Sequence, residues 1–455
     1  MSFAVVGGGI SGLAAAWSLS SRPGTRVVVY EPGRVGGKLR TSLFAGRPVD
    51  EGPDAFLVRT PEATALCAEL GLDDLVAPAA GRTLLWSGGR LRPIPEGLVL
   101  GVPGRLWPVI RSGLLSPAGM ARAGLDLVLP RSKLGDDVSV GSLVSGRFGR
   151  QVADRLVEPL LGGIHAAPLD ELSTAVVAPH VLAAARSSRS LLLGLRRPAT
   201  PAPGAGGPVF LAPRQGMGSL VAALERALRD RGVEFRPEAV SRVSTGGDAV
   251  TVTTGAGPGD RFDGTILAVP APGAARLLDR DAPTGLDGIA FTSVAVLTLT
   301  VPAEQWAPPA GYNGFLVTGA ERRLMTACSF FSNKWPGESD SAAGTIVRLS
   351  AGRFNDRRVD DLDDDELTTR LLDEFGQALG VPIRPGEMRL SRWPASFPLY
   401  RVGHTAVVEG ITRSLAAASD GRVALAGSSY GGAGIPACIR SGRAAAEAVL
   451  AATGA

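Results

Sequence analysis

Lysine is almost absent from this chain of 455 residues: only Lys38, Lys133 and Lys334 occur, which leaves 44 of the 47 basic side chains as arginine. Together with abundant Ala and Gly, that bias is the mark of a GC-rich genome, so part of the arginine content reflects codon usage. The arginines are neither clustered nor interleaved with aromatics, which excludes a nucleic-acid surface. Cysteine is as scarce. Cys67, Cys328 and Cys438 form no CxxC pair and, being odd in number, no closed disulfide framework; they read as buried thiols of a reducing cytoplasm. His165, His180 and His404 are too few and scattered for a metal site. No apolar run approaches the ~18 residues of a membrane-crossing helix. No positive stretch precedes the first apolar residues, so no secretory signal is expected. What remains is a globular composition, 45% hydrophobic and 20% charged, long enough for two or three domains.

The chain opens as strand, glycine turn, helix, strand: Phe3–Val6, then a helix of strong formers around Leu13–Leu19, then Val27–Tyr30. Residues 94–130 are Leu-, Val- and Trp-rich and punctuated by proline. Short helices are expected there, forming either ordinary core or a membrane- or substrate-facing surface. Residues 198–208 read as an exposed flexible loop. From Gly216 the α/β pattern resumes, with strands expected at Val233–Arg236, Ala249–Thr254, Thr265–Val269, Ser293–Val301 and Thr345–Ser350. A helix is expected over Asp361–Leu379, its acidic start suited to the helix dipole. The end repeats strand, glycine turn, helix: Val423–Ala426, then Ile439–Leu450.

Four motifs carry chemistry. Gly7-Gly8-Gly9-Ile10-Ser11-Gly12 is a G-x-G-x-x-G between strand and helix. Its glycines permit a tight turn, close approach to a pyrophosphate and close helix–strand packing, with the phosphates at the helix N-terminus. Glu31 ends the second strand, followed by Pro32, where a carboxylate accepts ribose hydroxyls; that choice argues against NADP. Gly36, Gly37, Lys38 and Arg40 follow at once and resemble the GG motif of the glutathione-reductase-like FAD oxidases, a resemblance that implies FAD rather than NAD, with glycine backbone close to the diphosphate and the two cations adding positive charge. The turn Gly52-Pro53-Asp54-Ala55 is small enough to lie against a flavin ring without blocking hydride approach. Gly427 to Pro436, with Gly434 and Ile435, is a second strand–glycine–helix turn, and its helix N-terminus can stabilise negative charge on the flavin pyrimidine edge.

These motifs, with Glu158-Pro159-Leu160-Leu161-Gly162-Gly163-Ile164-His165-Ala166, Gly216-Met217-Gly218 and Arg392-Trp393-Pro394 between them, resemble the coproporphyrinogen III and protoporphyrinogen IX oxidases, FAD enzymes of the amine-oxidase-like superfamily. The resemblance spreads over most of the chain. It implies an α/β fold with a Rossmann-like FAD-binding domain of the glutathione-reductase type, split by a mixed-sheet substrate domain and a helical insertion. The segments it suggests are 1–80, 209–275 and 385–455 for the FAD domain, 81–208 for the insertion and 276–384 for the substrate domain. By position, Val240 resembles the residue whose backbone meets the adenine, and Trp393 an aromatic near the cofactor. The implied reaction removes six electrons from a porphyrinogen in three flavin cycles. Molecular oxygen is the oxidant, peroxide is formed, and a ferrochelatase receives the product.

Propionate carboxylates call for arginine, and Arg59 is the leading candidate, ahead of Arg189 and Arg401. Where some relatives carry Lys after Arg59, this chain has Thr60. His165 and His404 read as structural. The Arg-rich composition together with the resemblance favours the Gram-positive, coproporphyrin-forming type. Two alternatives stay open. An amine oxidase would use an aromatic cage and a lysine near the flavin; Tyr430 is the sole aromatic of the last turn, and Lys133 and Lys334 look poorly placed in sequence. A non-catalytic porphyrin carrier would have no need of the FAD motifs. No metal is expected, and peripheral membrane contact is an open expectation.

Overall fold

In the computed structural model, which describes residues 1–196, 207–255, 257–335 and 344–454, strand Ser2–Val6 is the middle of a five-stranded parallel sheet. Arg26–Tyr30 pairs with it on one side and Gly264–Leu267 on the other; Glu234–Arg236 and Val423–Leu425 are the outer strands. The sheet thus draws on the beginning, middle and end of the chain. Phe3, Ala4, Val5 and Val6 are buried on both faces, because helices cover one side and an antiparallel sheet of Val240–Gly246, Ala249–Thr254 and Asp260–Phe262, with further helices, covers the other. The first helix, Ile10–Ser20, lies against the last, Ile435–Thr453. Their contact is close because Gly442 meets the Ser11 carbonyl, where a Cβ would collide.

A second sheet has seven strands in the order Met388–Pro398, Phe291–Val301, Thr345–Ala351, Met325–Ser329, Tyr312–Val317, Arg82–Ser87, Arg90–Pro93. Two expected boundaries are therefore corrected. The region 81–208 is not helical from its start: Arg82–Ser87 and Arg90–Pro93 form a hairpin whose turn, Gly88-Gly89, takes positive φ at both residues. Residues 388–398 pair with Phe291–Val301 in this sheet rather than with the Rossmann-like one. The helix expected over 361–379 runs from Asp364 to Leu379, because Asp363 caps it by accepting from the Glu366 N–H at 2.9 Å, and a separate short helix, Arg358–Asp361, precedes it.

The helical region includes Leu106–Arg111, Pro117–Gly124, Val140–Phe148 and a π-helical stretch, Ala153–Gly162, with Pro159 inside it. Residues 94–130 divide between core and exposed surface. Val109, Leu114, Leu115 and Ala123 are core, while Trp107 and Val128 stay 66% and 68% exposed. Asp126 is wholly buried, paired with Arg147 and bonded to Ser190 Oγ and Leu192 N. Most of the expected loop 198–208 lies outside the described residues. Among the described residues no helix is long and apolar enough to cross a membrane.

Candidate functional site

The parallel sheet, the π-helical exit and the seven-stranded sheet enclose one cavity of about 630 Å³. Its first end is the glycine turn. Gly7, Gly9, Ile10 and Ser11 line it, facing Gly36, Gly37 and Lys38. The two glycine turns are laced together, Gly36 N–H donating to Gly8 O at 2.8 Å. Gly7 sits at φ +108, and a Cβ on Gly12 would collide with the Gly7 carbonyl. Glu31 also lines the cavity; its two carboxylate oxygens accept from Gly8 N (2.8 Å) and Gly33 N (2.9 Å), which fixes its direction.

This end fits the diphosphate and ribose of a dinucleotide. The first helix begins at Gly9 without any side-chain cap, so its opening N–H groups are left for an anion. A Cβ built on Gly9 meets nothing within 4 Å, so the backbone there borders open space. The last helix likewise begins at Gly434 with no side-chain cap, and Gly427, Ser428, Ser429 and Ile435 line the cavity beside it. Its N-terminal N–H groups suit the pyrimidine edge of a flavin. That loop is held from behind: Tyr400 donates its hydroxyl to Ser428 O at 2.7 Å, and His404 Nε2 bonds Ser429 O at 2.9 Å.

The turn Gly52-Pro53-Asp54 lies at the other end, against the seven-stranded sheet. Trp393 Nε1 donates to Glu51 O at 3.0 Å and Arg348 Nη2 to Gly52 O at 2.7 Å. Asp54 accepts Lys334 Nζ on both oxygens at 2.8 Å and Trp335 Nε1 at 3.1 Å, with Arg348 3.5 Å away. Burial alone would raise the Asp54 carboxyl, but Lys334 and Arg348 hold it below the usual range. Val294, Ala295, Val296, Ile164 and Phe397 add an apolar lining. Lys38 is buried rather than solvated: its Nζ donates to Ser396 O at 2.6 Å, and burial lowers its pKa. No histidine lines the cavity among the described residues. His165, edge-on to Tyr400, is pushed down to about 4 by burial and is neutral at pH 7.

The cavity brings together Gly7, Gly9, Ile10, Ser11, Glu31, Gly37, Lys38, Gly52, Pro53, Asp54, Trp393, Gly427 and Ile435. The other expected cofactor residues stand off it. Gly8 and Gly12 shape the turn from beneath. Arg40 pairs with Glu51 at 3.1 Å, Pro32 is exposed, and Ala55 packs on the core. Val240 opens an antiparallel strand, and Gly434 and Pro436 belong to the start of the last helix.

None of the three arginine candidates lines the cavity. Arg59 is exposed and close enough to His180 to lower its pKa, after burial. Arg189 donates to Leu127 O at 2.8 Å, and Arg401 pairs with Glu171 at 3.0 Å; both are used in local structure. Lys334, which looks poorly placed in sequence, is on the cavity wall, because the short helix Phe331–Lys334 turns back from strand Met325–Ser329 toward Asp54. Lys334 and Arg348 are the functional candidates that sequence reasoning missed.

Asp50, just before this turn, carries a pH signature. It accepts from Thr41 Oγ1 and, at 2.9 Å, from Met217 N, yet burial raises its pKa to about 6. A folded-state value above the unfolded one contributes stability that is full below roughly pH 4 and is lost as pH rises through about 6. A shift of that size is on the order of 3 kcal/mol. Asp50→Asn keeps an oxygen for both donors, so the decline in urea midpoint between roughly pH 4 and pH 7 is expected to shrink. An unchanged decline would place its origin elsewhere.

Residues 10–450 match the family of flavin containing amine oxidoreductases. The chain is 37% identical over 458 residues to a coproporphyrinogen III oxidase of Mycobacterium leprae, covering 99% of this chain and 98% of that one. It is 30% identical over 485 residues to a protoporphyrinogen oxidase of Bos taurus, covering 98% of each. A solved structure from Exiguobacterium sp. 255-15 superposes with a TM-score of 0.88 at 28% identity, over 98% of each chain.

Proposed function

The chain belongs to the flavin containing amine oxidoreductases, in the branch of the coproporphyrinogen and protoporphyrinogen oxidases, and on that premise we propose that it oxidises coproporphyrinogen III to coproporphyrin III with FAD and molecular oxygen. The observation that carries the reading is a continuous cavity joining an uncapped, glycine-built end to an apolar end with part-buried Lys334 and buried Arg348. Its proposed segments are 1–80, 209–275 and 385–455 for the FAD fold, less the strand 388–398, around the helical and mixed-sheet parts. We assign it to the cytoplasm, with a ferrochelatase as the recipient of product.

When bound, FAD supplies the two-electron acceptor for each of three dehydrogenations, so that one porphyrinogen and three O₂ give one porphyrin and three H₂O₂. The chain's own residues bind and orient. The Gly7–Gly12 turn and the first helix would hold the diphosphate, and Glu31 the ribose hydroxyls. Gly52-Pro53, clamped by Trp393 and Arg348, would support the ring, and the last helix its pyrimidine edge. Val294, Val296, Ile164 and Phe397 offer apolar surface to a macrocycle, so positioning is the main catalytic contribution. Asp54 is tied up by Lys334 and Trp335 and His165 does not line the cavity, so no side chain is assigned as a base.

An amine oxidase is the second reading, favoured by two observations: Lys334 lines the cavity, and Trp393 and Phe397 are aromatic neighbours of the same wall. Steady-state assays separate the two. Oxygen-dependent porphyrin fluorescence is expected with coproporphyrinogen III and no peroxide with primary amines. Peroxide formed from amines alone would exchange the readings.

A further inference from the structure

We propose that Lys334 is the carboxylate-recognition residue of the cavity: its ammonium receives a propionate of the substrate and sets a preference for the porphyrinogen richer in propionates. This rests on the porphyrinogen reading above. Lys334 is on the cavity wall, whereas Arg59, Arg189 and Arg401 are not. An ammonium has three N–H donors. Asp54 takes two at 2.8 Å, and no acceptor among the described residues takes the third.

The neighbouring charges leave this donor available. Asp54 lies between Lys334 and Arg348, Asp50 acts on Arg348 from behind the turn, and the other acid of the lining, Glu31, is at the ribose end. Arg348 donates to Gly52 O and lies 3.5 Å from Asp54, and the polar atom it leaves unpartnered, Nε, is buried, whereas the Lys334 ammonium is part-exposed. A partly desolvated N–H donor without an acceptor is costly until one meets it. Asp54 also fixes the ammonium in place, so little freedom is lost when a carboxylate arrives. Coproporphyrinogen III carries four propionates, and two of these positions are vinyl groups in protoporphyrinogen IX. A cation facing one of those positions favours the former by a charge-assisted hydrogen bond.

The test measures kcat and KM for both porphyrinogens with wild type, Lys334→Leu and Lys334→Arg, alongside flavin content. Lys334→Leu is expected to raise KM for coproporphyrinogen III roughly tenfold to a hundredfold. KM for protoporphyrinogen IX should change far less, and Lys334→Arg should recover part of the preference. Because Lys334→Leu strands Asp54, the double variant Lys334→Met/Asp54→Asn removes both charges and should show the same loss of preference if the single variant folds poorly. A ratio of specificity constants unchanged in the folded variants, or an equal fall for both substrates, overturns the assignment. Wild type that oxidises neither porphyrinogen overturns the porphyrinogen reading itself.

Discussion

Gly9→Val is expected to yield a folded protein that carries no flavin. The backbone at Gly9 is extended, with φ −72 and ψ 172, which valine tolerates. No protein atom lies within 4 Å of the added Cβ, so the chain itself does not resist the substitution. The branched side chain would instead occupy the cradle assigned to the diphosphate. Overpacking of this kind costs about 1–3 kcal/mol or more, so flavin affinity should fall at least roughly tenfold to a hundredfold. Gly12→Val is the contrast: its Cβ would collide with the Gly7 carbonyl and lie 3.1 Å from Ala268 Cβ, so it should fail by misfolding. Visible absorbance and thermal melts of the purified variants distinguish the two. Full flavin retention in Gly9→Val would remove the cofactor from this turn.

Asp54→Ala should be the most destabilising single change at the other end of the cavity. It leaves Lys334 and Arg348 without their shared counter-charge and Trp335 Nε1 without its acceptor. Removing one partner of a buried pair costs about 3–5 kcal/mol, most of it the uncompensated charge. The same carboxylate links the Gly52-Pro53 turn to the seven-stranded sheet, so flavin retention should fall with stability. Asp54→Asn, which keeps one acceptor, should lose less. Equilibrium urea denaturation measures both, and equal stability of Asp54→Ala and wild type would show that the pair adds nothing.

The glycine-turn end of the cavity was legible because its signal is local. Six consecutive residues, a strand before and a helix after specify the turn, and Glu31 follows at the end of the next strand. The second sheet was partly legible: the strands expected at Ser293–Val301 and Thr345–Ser350 are present as Phe291–Val301 and Thr345–Ala351. The hairpin at 82–93 was missed although its signal, Gly88-Gly89 between apolar runs, is a short-range one. The end of the cavity at Asp54 was illegible for a different reason. Asp54, Lys334 and Arg348 meet across nearly 300 residues, through a short helix after one strand and the middle of another. Sequence order gave Lys334 no visible link to the flavin turn, whereas Arg59, close to that turn in sequence, is exposed and off the cavity. Proximity along the chain is a poor guide wherever a sheet brings distant strands together.

The most direct test of the central claim is an anaerobic titration of the purified flavoprotein with coproporphyrinogen III, followed by the visible absorption of the flavin. The account predicts that the oxidised flavin band bleaches as porphyrin absorption appears, with three flavins reduced per porphyrin formed, and that admitting oxygen restores the band. A flavin that stays oxidised in the presence of excess porphyrinogen would contradict it.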